Sequence, residues 1–370
     1  MLQLASDNYA PVHPEVMTAI GAANDGSAVS YGDDPVSARL QERATEVFGG
    51  HARIFPVLNG TGANVISLMA ATPRWGGVIA SDVAHVHTDE NGAPERVGGL
   101  KILAVPSVAG RIGPDAVDRY IGDLGDVHRA QPAVLSLTQA TELGTVYSPP
   151  DLKLLTDTAH AAGLRVHVDG SRLANAAATL GVGLRELTTD VGVDIVSLGA
   201  AKNGGMLGEA VVVLSDGAGG AAAGLGGAVP YLRKATMQLA SKTRFLSAQL
   251  LALLGEPGAP TSGTGENGPL WLRNAAHSNA MAARLRAGIE AAGLTGTEGS
   301  GAIRFTCPTE ANAVFATLPR AAADRARAHA RFYDWAPGET ADRVEVRWMC
   351  AWDTTEADVD EFVRAAAAAL

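Results

Sequence analysis

The chain has 370 residues, 47% of them apolar and 18% charged, with a formal net charge of −10. That composition suits a large buried core and argues against disorder, and the acidic balance argues against a nucleic-acid surface, which needs a clustered basic footprint. Two cysteines, Cys307 and Cys350, give neither a disulfide framework nor metal-ligand spacing, and no apolar run approaches the roughly 18 residues of a membrane span.

The N-terminal MLQLASDNYAPVHPEV lacks the basic-then-apolar order of a signal peptide, so the expectation is a soluble, cytoplasmic protein. RIFPVL (53–58) is a short apolar run ending in NGTG, and GANVISLMAAT then has helical spacing. GGVIASD, KILAVPS, AVLSLTQ, LRVHVDG, DIVSLGA and EAVVVLS follow as short strands. PPDLKLLTDTAHAAG is the clearest intervening helix, with prolines in its first turn and Gly163 at its end. The alternation predicts a mostly parallel sheet covered by helices on both faces. GAGGAAAGLGGAVP (217–230) is low in complexity and reads as a mobile surface loop, and EPGAPTSGTGENGP (256–269) as a loop or domain junction. A long amphipathic helix then begins at LWLRNAAHSNAMAARLRAGIEAAG. Strands ANAVFATL and RVEVRWMCAW flank a helix AAADRARAHARF, and a capped helix closes the chain at TTEADVDEFVRAAAAAL. The expected organisation is a large α/β domain over 1–254, with an N-terminal arm at 1–15, and a smaller α+β domain over 255–370.

Three stretches carry chemistry. NGTGAN (59–64) closes a strand and opens a helix, whose free N–H groups suit an anion. It matches neither a Walker P-loop nor a GxGxxG fingerprint, and a plain strand–helix turn is the competing reading. HVDGSRLANA puts Asp169 at the C-terminal end of a strand, the edge where open α/β sheets bind ligands. His167 shares its sheet face by alternation, but no metal-ligand spacing surrounds the pair. Lys202 sits among glycines at the same edge, one strand later. The chain has five lysines against 24 arginines, so a lysine here points to chemistry that arginine cannot do, namely a Schiff base; a surface lysine in a turn is the alternative. Gly60 and Thr61 as a phosphate cup, Asp169 for a ring nitrogen and Lys202 for an aldehyde together fit pyridoxal phosphate (PLP). His85 and His87 form a His-rich turn after another strand, where a histidine could stack on a planar cofactor, act as a base, or simply be solvated.

Taken together, SDNYAPVHPEV, SYGDDPVSARLQ, NGTGANV, AHVHTDENGAPE, TQATELGTVY, HVDGSRLANA, GAAKNGGMLGEAVV, LASKTRFLSAQ and VRWMCAWDT resemble, in the same order, segments of the L-threonine aldolase family. These are PLP enzymes of the aspartate-aminotransferase-like fold (fold type I), related to the β-eliminating lyases. The resemblance runs from SDN at 6–8 to the C-terminal helix. It implies retro-aldol cleavage of threonine, allo-threonine and related β-hydroxy-α-amino acids to glycine and an aldehyde. Cleavage of bulky substrates such as phenylserine, or β-elimination, is the same-fold alternative. It also implies that Lys202 forms the Schiff base, Asp169 pairs with the pyridine nitrogen, Gly60 and Thr61 hold the phosphate, and His85 stacks on the ring. Ser6, Arg172 and Arg347 would hold the substrate carboxylate, the guanidinium forks suiting it. His128 would lie near the substrate hydroxyl, and His85, His128 or a water would be the base, a neutral histidine suiting the task. Tyr31 would approach the site, and Arg233 or Lys234 would contact the phosphate, across a homodimer or homotetramer with shared sites. No metal is expected. Gly204, Gly205 and Leu207 stand where related sequences carry bulkier residues, which bears on substrate preference.

Overall fold

The computed structural model describes residues 1–215, 224–263, 268–296 and 303–370. Its seven-stranded sheet is built from Arg53–Val57 (β1), Gly76–Ser81 (β2), Lys101–Val105 (β3), Gln131–Thr138 (β4), Arg165–Gly170 (β5), Ile195–Leu198 (β6) and Glu209–Val213 (β7). The order across the sheet is β1-β7-β6-β5-β4-β2-β3. Only β7 runs antiparallel to its neighbours; the other pairings are parallel. Every residue of β2, β6 and β7 is buried, which is why these strands read as unbroken apolar runs rather than alternating ones.

Helices cover both faces. On one, Ala63 and Ile66 of helix Gly60–Ala71 pack against Phe55, Val57, Ile195 and Val211. On the other, Leu152 and Leu155 of Pro149–Ala161 and Leu173 and Ala176 of Leu173–Leu180 pack against Leu135, Val166 and Val196. The helix at 149 starts where the sequence says it should, because Ser148 and Asp151 close a reciprocal capping box. The parallel strands β4, β5 and β6 end side by side at Thr138, Gly170 and Leu198, and that edge carries the site.

A second sheet has the antiparallel order Tyr333–Pro337, Arg343–Met349, Ala313–Pro319, Arg304–Phe305. Its core joins Val314, Val346 and Trp348 to Leu285 and Ile289 of helix Leu270–Ala291 and to Phe362 of Glu356–Ala369. Leu4 belongs to this core, and Leu2–Gln3 pairs in parallel with Ala330–Arg331, so the chain's first residues lie on the C-terminal sheet before running to the site. The same long helix contributes Leu270 and Trp271 to the first core.

Two expectations change, and one strand is new. The helix expected over 321–332 stops at Ala326, and residues 330–331 are instead paired with the N-terminal strand. Within GAGGAAAGLGGAVP, residues 217–223 lie outside the described residues, and from Leu225 the chain is helix, to Ala235, because Leu225 and Val229 at i and i+4 bury one face. Residues 264–267 of the second loop stretch also lie outside. Strand Tyr333–Pro337 was not foreseen, since it is largely exposed and shows no apolar alternation. Among the described residues no helix is long and apolar enough to cross a membrane.

Candidate active site

Asp169 is the penultimate residue of β5 and is buried. Its Oδ1 accepts the Ser171 N–H (3.0 Å) and Oγ–H (2.7 Å), and its Oδ2 accepts an N–H from Asn64 Nδ2 (2.8 Å). Burial pushes the carboxyl pKa up, but the Ser171 bonds and the Lys202 charge outweigh it and hold the group below the usual range. Asp169 is therefore ionised, and among the described residues no cation bonds to it directly.

Lys202 lies in a single helical turn, Ala201–Asn203, just beyond β6. The turn is fixed from several sides. Asn203 Nδ2 donates to Trp271 O (2.9 Å), Asn274 Nδ2 donates to Asn203 O (2.9 Å), and the buried Glu209 accepts the N–H groups of Ala200 and Ala201. Its approach requires glycine, because a Cβ on Gly199 would lie 2.4 Å from Ser171 O. Burial, then the Arg172 charge, pushes the Lys202 ammonium pKa down, so the neutral nucleophilic amine is reached at lower pH than for a free lysine.

Helix Gly60–Ala71 is capped by Asn59, whose Oδ1 accepts the Gly62 N–H at 2.8 Å and whose carbonyl accepts that of Ala63. The N–H groups of Gly60 and Thr61 have no acceptor among the described residues, and a Cβ added at Gly60 would meet open space. They face a cavity of ≈ 270 Å³ whose lining includes Gly60, Thr61, Asn64, His85, Glu90 and Lys202. Three of the predicted groups thus share one cavity, and Asp169 stands behind Asn64 at its wall.

His85 opens the helical turn His85–Thr88, so it and His87 are not disposed as on a strand; His85 is half-buried and His87 exposed. His85 Nδ1 lies 2.9 Å from Glu90 Oε1, and the His85 N–H donates to Glu142 Oε1 at 2.7 Å. The Glu90 bond raises the imidazole pKa against burial, with Asp169 helping and Lys202 opposing. Relative to a free imidazole, the charged form is favoured. Burial, then the Asp169 charge, pushes Glu142 up to about 7, and its Oε2 has no partner among the described residues.

Arg172 follows β5 and is held by Asp7: Nε donates to Asp7 Oδ2 (2.7 Å) and Nη2 to Oδ1 (2.9 Å). Asn312 Nδ2 also donates to Asp7 Oδ2, at 3.0 Å, so one buried carboxylate ties the N-terminal segment to both sheets. Arg347 Nη2 donates to Ala5 O (3.0 Å), its guanidinium lies over Trp335, and burial pushes its pKa down to about 10. Ser6 lies between Ala5 and Asp7, its Oγ accepting the Asn8 N–H.

Some expected residues do not converge. His128 is exposed and lies just before Gln131, at the N-terminal end of β4, whereas the cavity lies beyond the C-terminal ends; in this fold it cannot reach a substrate held at Lys202 of its own chain. Arg233 is buried, with Nε and Nη2 unpartnered among the described residues. Lys234 is exposed, with its Nζ 5.2 Å from the Tyr31 ring centroid, and Tyr31 is half-exposed at φ +64°. His167 is a satisfied core residue, its two nitrogens meeting Ser136 Oγ and Ser197 Oγ, and burial pushes its pKa down to about 4. Sequence reasoning missed Asp7, Asn64, Glu90, Glu142 and Glu209. All sit inside the motif segments quoted above, but nothing in their spacing marks them as buried.

Comparison with known proteins agrees with this geometry. The chain is 38% identical, over 97% of its length and 95% of the relative's, to a low specificity L-threonine aldolase of a Pseudomonas species. It superposes on a threonine aldolase of Leishmania major with a TM-score of 0.87 at 26% identity, covering 100% of this chain and 99% of that one. The fold is shared more widely: a Sphingomonas wittichii serine palmitoyltransferase matches with a TM-score of 0.67 at 15% identity over 99% of this chain and 86% of that one. The beta-eliminating lyase family model matches residues 3–346, and with a seven-stranded fold type I sheet carrying a lysine and an ionised aspartate at one edge, the chain belongs to that family.

Proposed function

We propose that this protein is a PLP-dependent carbon–carbon lyase that cleaves threonine, allo-threonine and related β-hydroxy-α-amino acids to glycine and an aldehyde. The observation that carries the reading is the cavity itself. It is lined by a lysine of lowered amine pKa and by the two residues whose helix amides are uncapped, and the ionised Asp169 stands behind Asn64 of its lining. These groups fit PLP: Lys202 would hold its aldehyde carbon, Gly60 and Thr61 its phosphate, Asp169 its protonated ring nitrogen, and His85 would stack on the ring. Bound there, the cofactor supplies an electron sink for the breaking Cα–Cβ bond.

The chain's own residues do the rest. Arg172, set by Asp7, would receive the substrate carboxylate with Arg347 and Ser6. The proton of the β-hydroxyl must leave as the bond breaks, and of the two candidate histidines His85 is the one at the cavity. A homodimer or homotetramer with shared sites belongs to the same reading. It is supported by the exposure of Tyr231 (80%) and Met237 (79%), which flank Lys234, and by the exposed Lys234 itself.

The test is the absorbance spectrum of the purified protein, followed by glycine release from both threonine diastereomers and from phenylserine. A yellow protein that releases glycine, and loses both colour and activity in Lys202→Ala, is the expected result. A colourless protein without glycine release refutes the reading, and 2-oxobutanoate with ammonia in place of glycine would assign β-elimination.

A further inference from the structure

We propose that Glu90 is a positioning residue that fixes the His85 ring with Nδ1–H turned toward Glu90 Oε1 and Nε2 left to the cavity, and that Asn64 locks this carboxylate to Asp169. What His85 then does to a substrate rests on the function proposed above; the ring geometry does not.

The argument starts from Asn64. Its Nδ2 has two N–H bonds, and both are spent on carboxylates: Glu90 Oε1 at 2.8 Å and Asp169 Oδ2 at 2.8 Å. The amide cannot be turned round, because its oxygen would then face two carboxylate oxygens with no hydrogen between them. Asn64 is buried in helix Gly60–Ala71, Glu90 is buried in the turn after His85, and Asp169 is buried in β5, so three elements meet in one chain of contacts. Glu90 Oε1 is the shared acceptor, and a carboxylate oxygen has no hydrogen to give. The 2.9 Å contact with His85 Nδ1 therefore requires the proton to sit on Nδ1. A free neutral histidine favours Nε2–H; here that preference is reversed. With Nδ1–H committed, Nε2 is the nitrogen His85 can offer to the cavity it lines, as an acceptor when the ring is neutral and a donor when it is charged. The charges facing the ring are Glu90 and Asp169, which favour the imidazolium, and Lys202, which opposes it.

A conservative pair of variants separates orientation from charge. Glu90→Gln keeps an oxygen that can accept from both Asn64 and His85 but removes the negative charge; Glu90→Leu removes both. Two-bond ¹H–¹⁵N correlation spectra of the purified protein, with His85 assigned by its disappearance in His85→Ala, read the tautomer directly and need no turnover. Above the titration midpoint, wild type should show Nδ1–H. Glu90→Gln should keep that form but titrate at lower pH. Glu90→Leu should revert to Nε2–H, with kcat falling at least tenfold and KM changing less. Wild-type His85 in the Nε2–H form, or Nδ1–H retained in Glu90→Leu, overturns the proposal. If Glu90→Leu does not fold, the wild-type tautomer and the Glu90→Gln titration decide it alone. An Nδ1–H tautomer in a protein without lyase activity would sink the proposed function and leave this inference standing.

Discussion

Asp7→Asn should destabilise the protein far more than the removal of one surface carboxylate. Asp7 is 1% exposed, and its two oxygens accept three hydrogen bonds, from Arg172 Nε and Nη2 and from Asn312 Nδ2. Asparagine has nearly the same shape, but its NH2 must replace one oxygen. Replacing Oδ2 sets it against Arg172 Nε and Asn312 Nδ2, and replacing Oδ1 sets it against Arg172 Nη2, so either rotamer turns donor against donor. The Arg172 side chain is 14% exposed and loses its counter-charge. Leaving one partner of a buried pair uncompensated costs about 3–5 kcal/mol, and that is the loss expected in urea unfolding at pH 7. The pH dependence carries a sign. Burial raises the Asp7 pKa, but the Arg172 charge and hydrogen bond overcome it, so the folded value lies below the ordinary 3.8. Its contribution is then fully present above the unfolded value and is lost as pH falls through the folded one. The gap between wild type and variant should be constant from pH 7 to pH 5 and close only under strong acid. A gap below about 1 kcal/mol at pH 7, the size of a surface pair, or one that widens on acidification, would refute the reasoning.

Glu142→Gln should stabilise at alkaline pH: with the carboxyl pushed from 4.5 to about 7 by burial and the Asp169 charge, stability is intact below the unfolded value and lost as pH rises through 7. At 1.36 kcal/mol per unit the gain should be about 3 kcal/mol at pH 8 and under about 1 at pH 5, read by unfolding at the two pH values; an equal gain at both would be contrary. Gly199→Ala should cost about 1–3 kcal/mol by overpacking and weaken cofactor retention in dialysis, because the new Cβ meets Ser171 backbone 2.4 Å away and shifts the path into the Lys202 turn. Arg233→Met should leave the melting temperature unchanged or raised, since it removes a buried guanidinium whose Nε and Nη2 lack partners among the described residues; a fall of several degrees would show that the charge is compensated. Leu207→Ala should keep the melting temperature while shifting the kcat/KM ratio of phenylserine to threonine by roughly 10-fold or more, the scale of a few methylenes in a pocket.

The strands and the clearest helices were legible because burial on both faces leaves nothing to confuse a parallel strand with, and because Ser148 with Asp151, and Thr355 with Asp358, announce helix starts locally. Strand Tyr333–Pro337 was not, since it is held by pairing with Arg343–Met349, a contact between segments, and not by its own pattern. The site divides along the same line. Lys202, Asp169, Gly60 and Thr61 could be read because each stands at a strand end or helix start, and the ends of parallel strands fall on one edge by topology alone. His128 lies away from that edge for the reason these lie on it: it precedes its strand instead of following it. Asp7 and Glu90 were invisible because an acidic residue in a loop looks solvated until the fold supplies Arg172 or Asn64 to bury it against.

The small residues around Lys202 show where this chain can and cannot vary. Gly204 has φ +100°, and a Cβ there would stand 2.9 Å from Asn274 Nδ2 and 3.0 Å from His13 Cβ; at Gly205 it would stand 2.9 Å from Ala200 O. Both glycines therefore press against their own chain and are required by the turn, so their small size does not enlarge the pocket. Met206 and Leu207, by contrast, line the cavity and are 48% and 49% exposed, and their backbone N–H groups donate to Gln249 Oε1. The turn thus separates two demands. Glycines and a backbone clamped by Glu209 fix the turn that carries Lys202. The next two residues line the cavity with half-exposed side chains, which is why Leu207→Ala is the substitution that probes substrate preference.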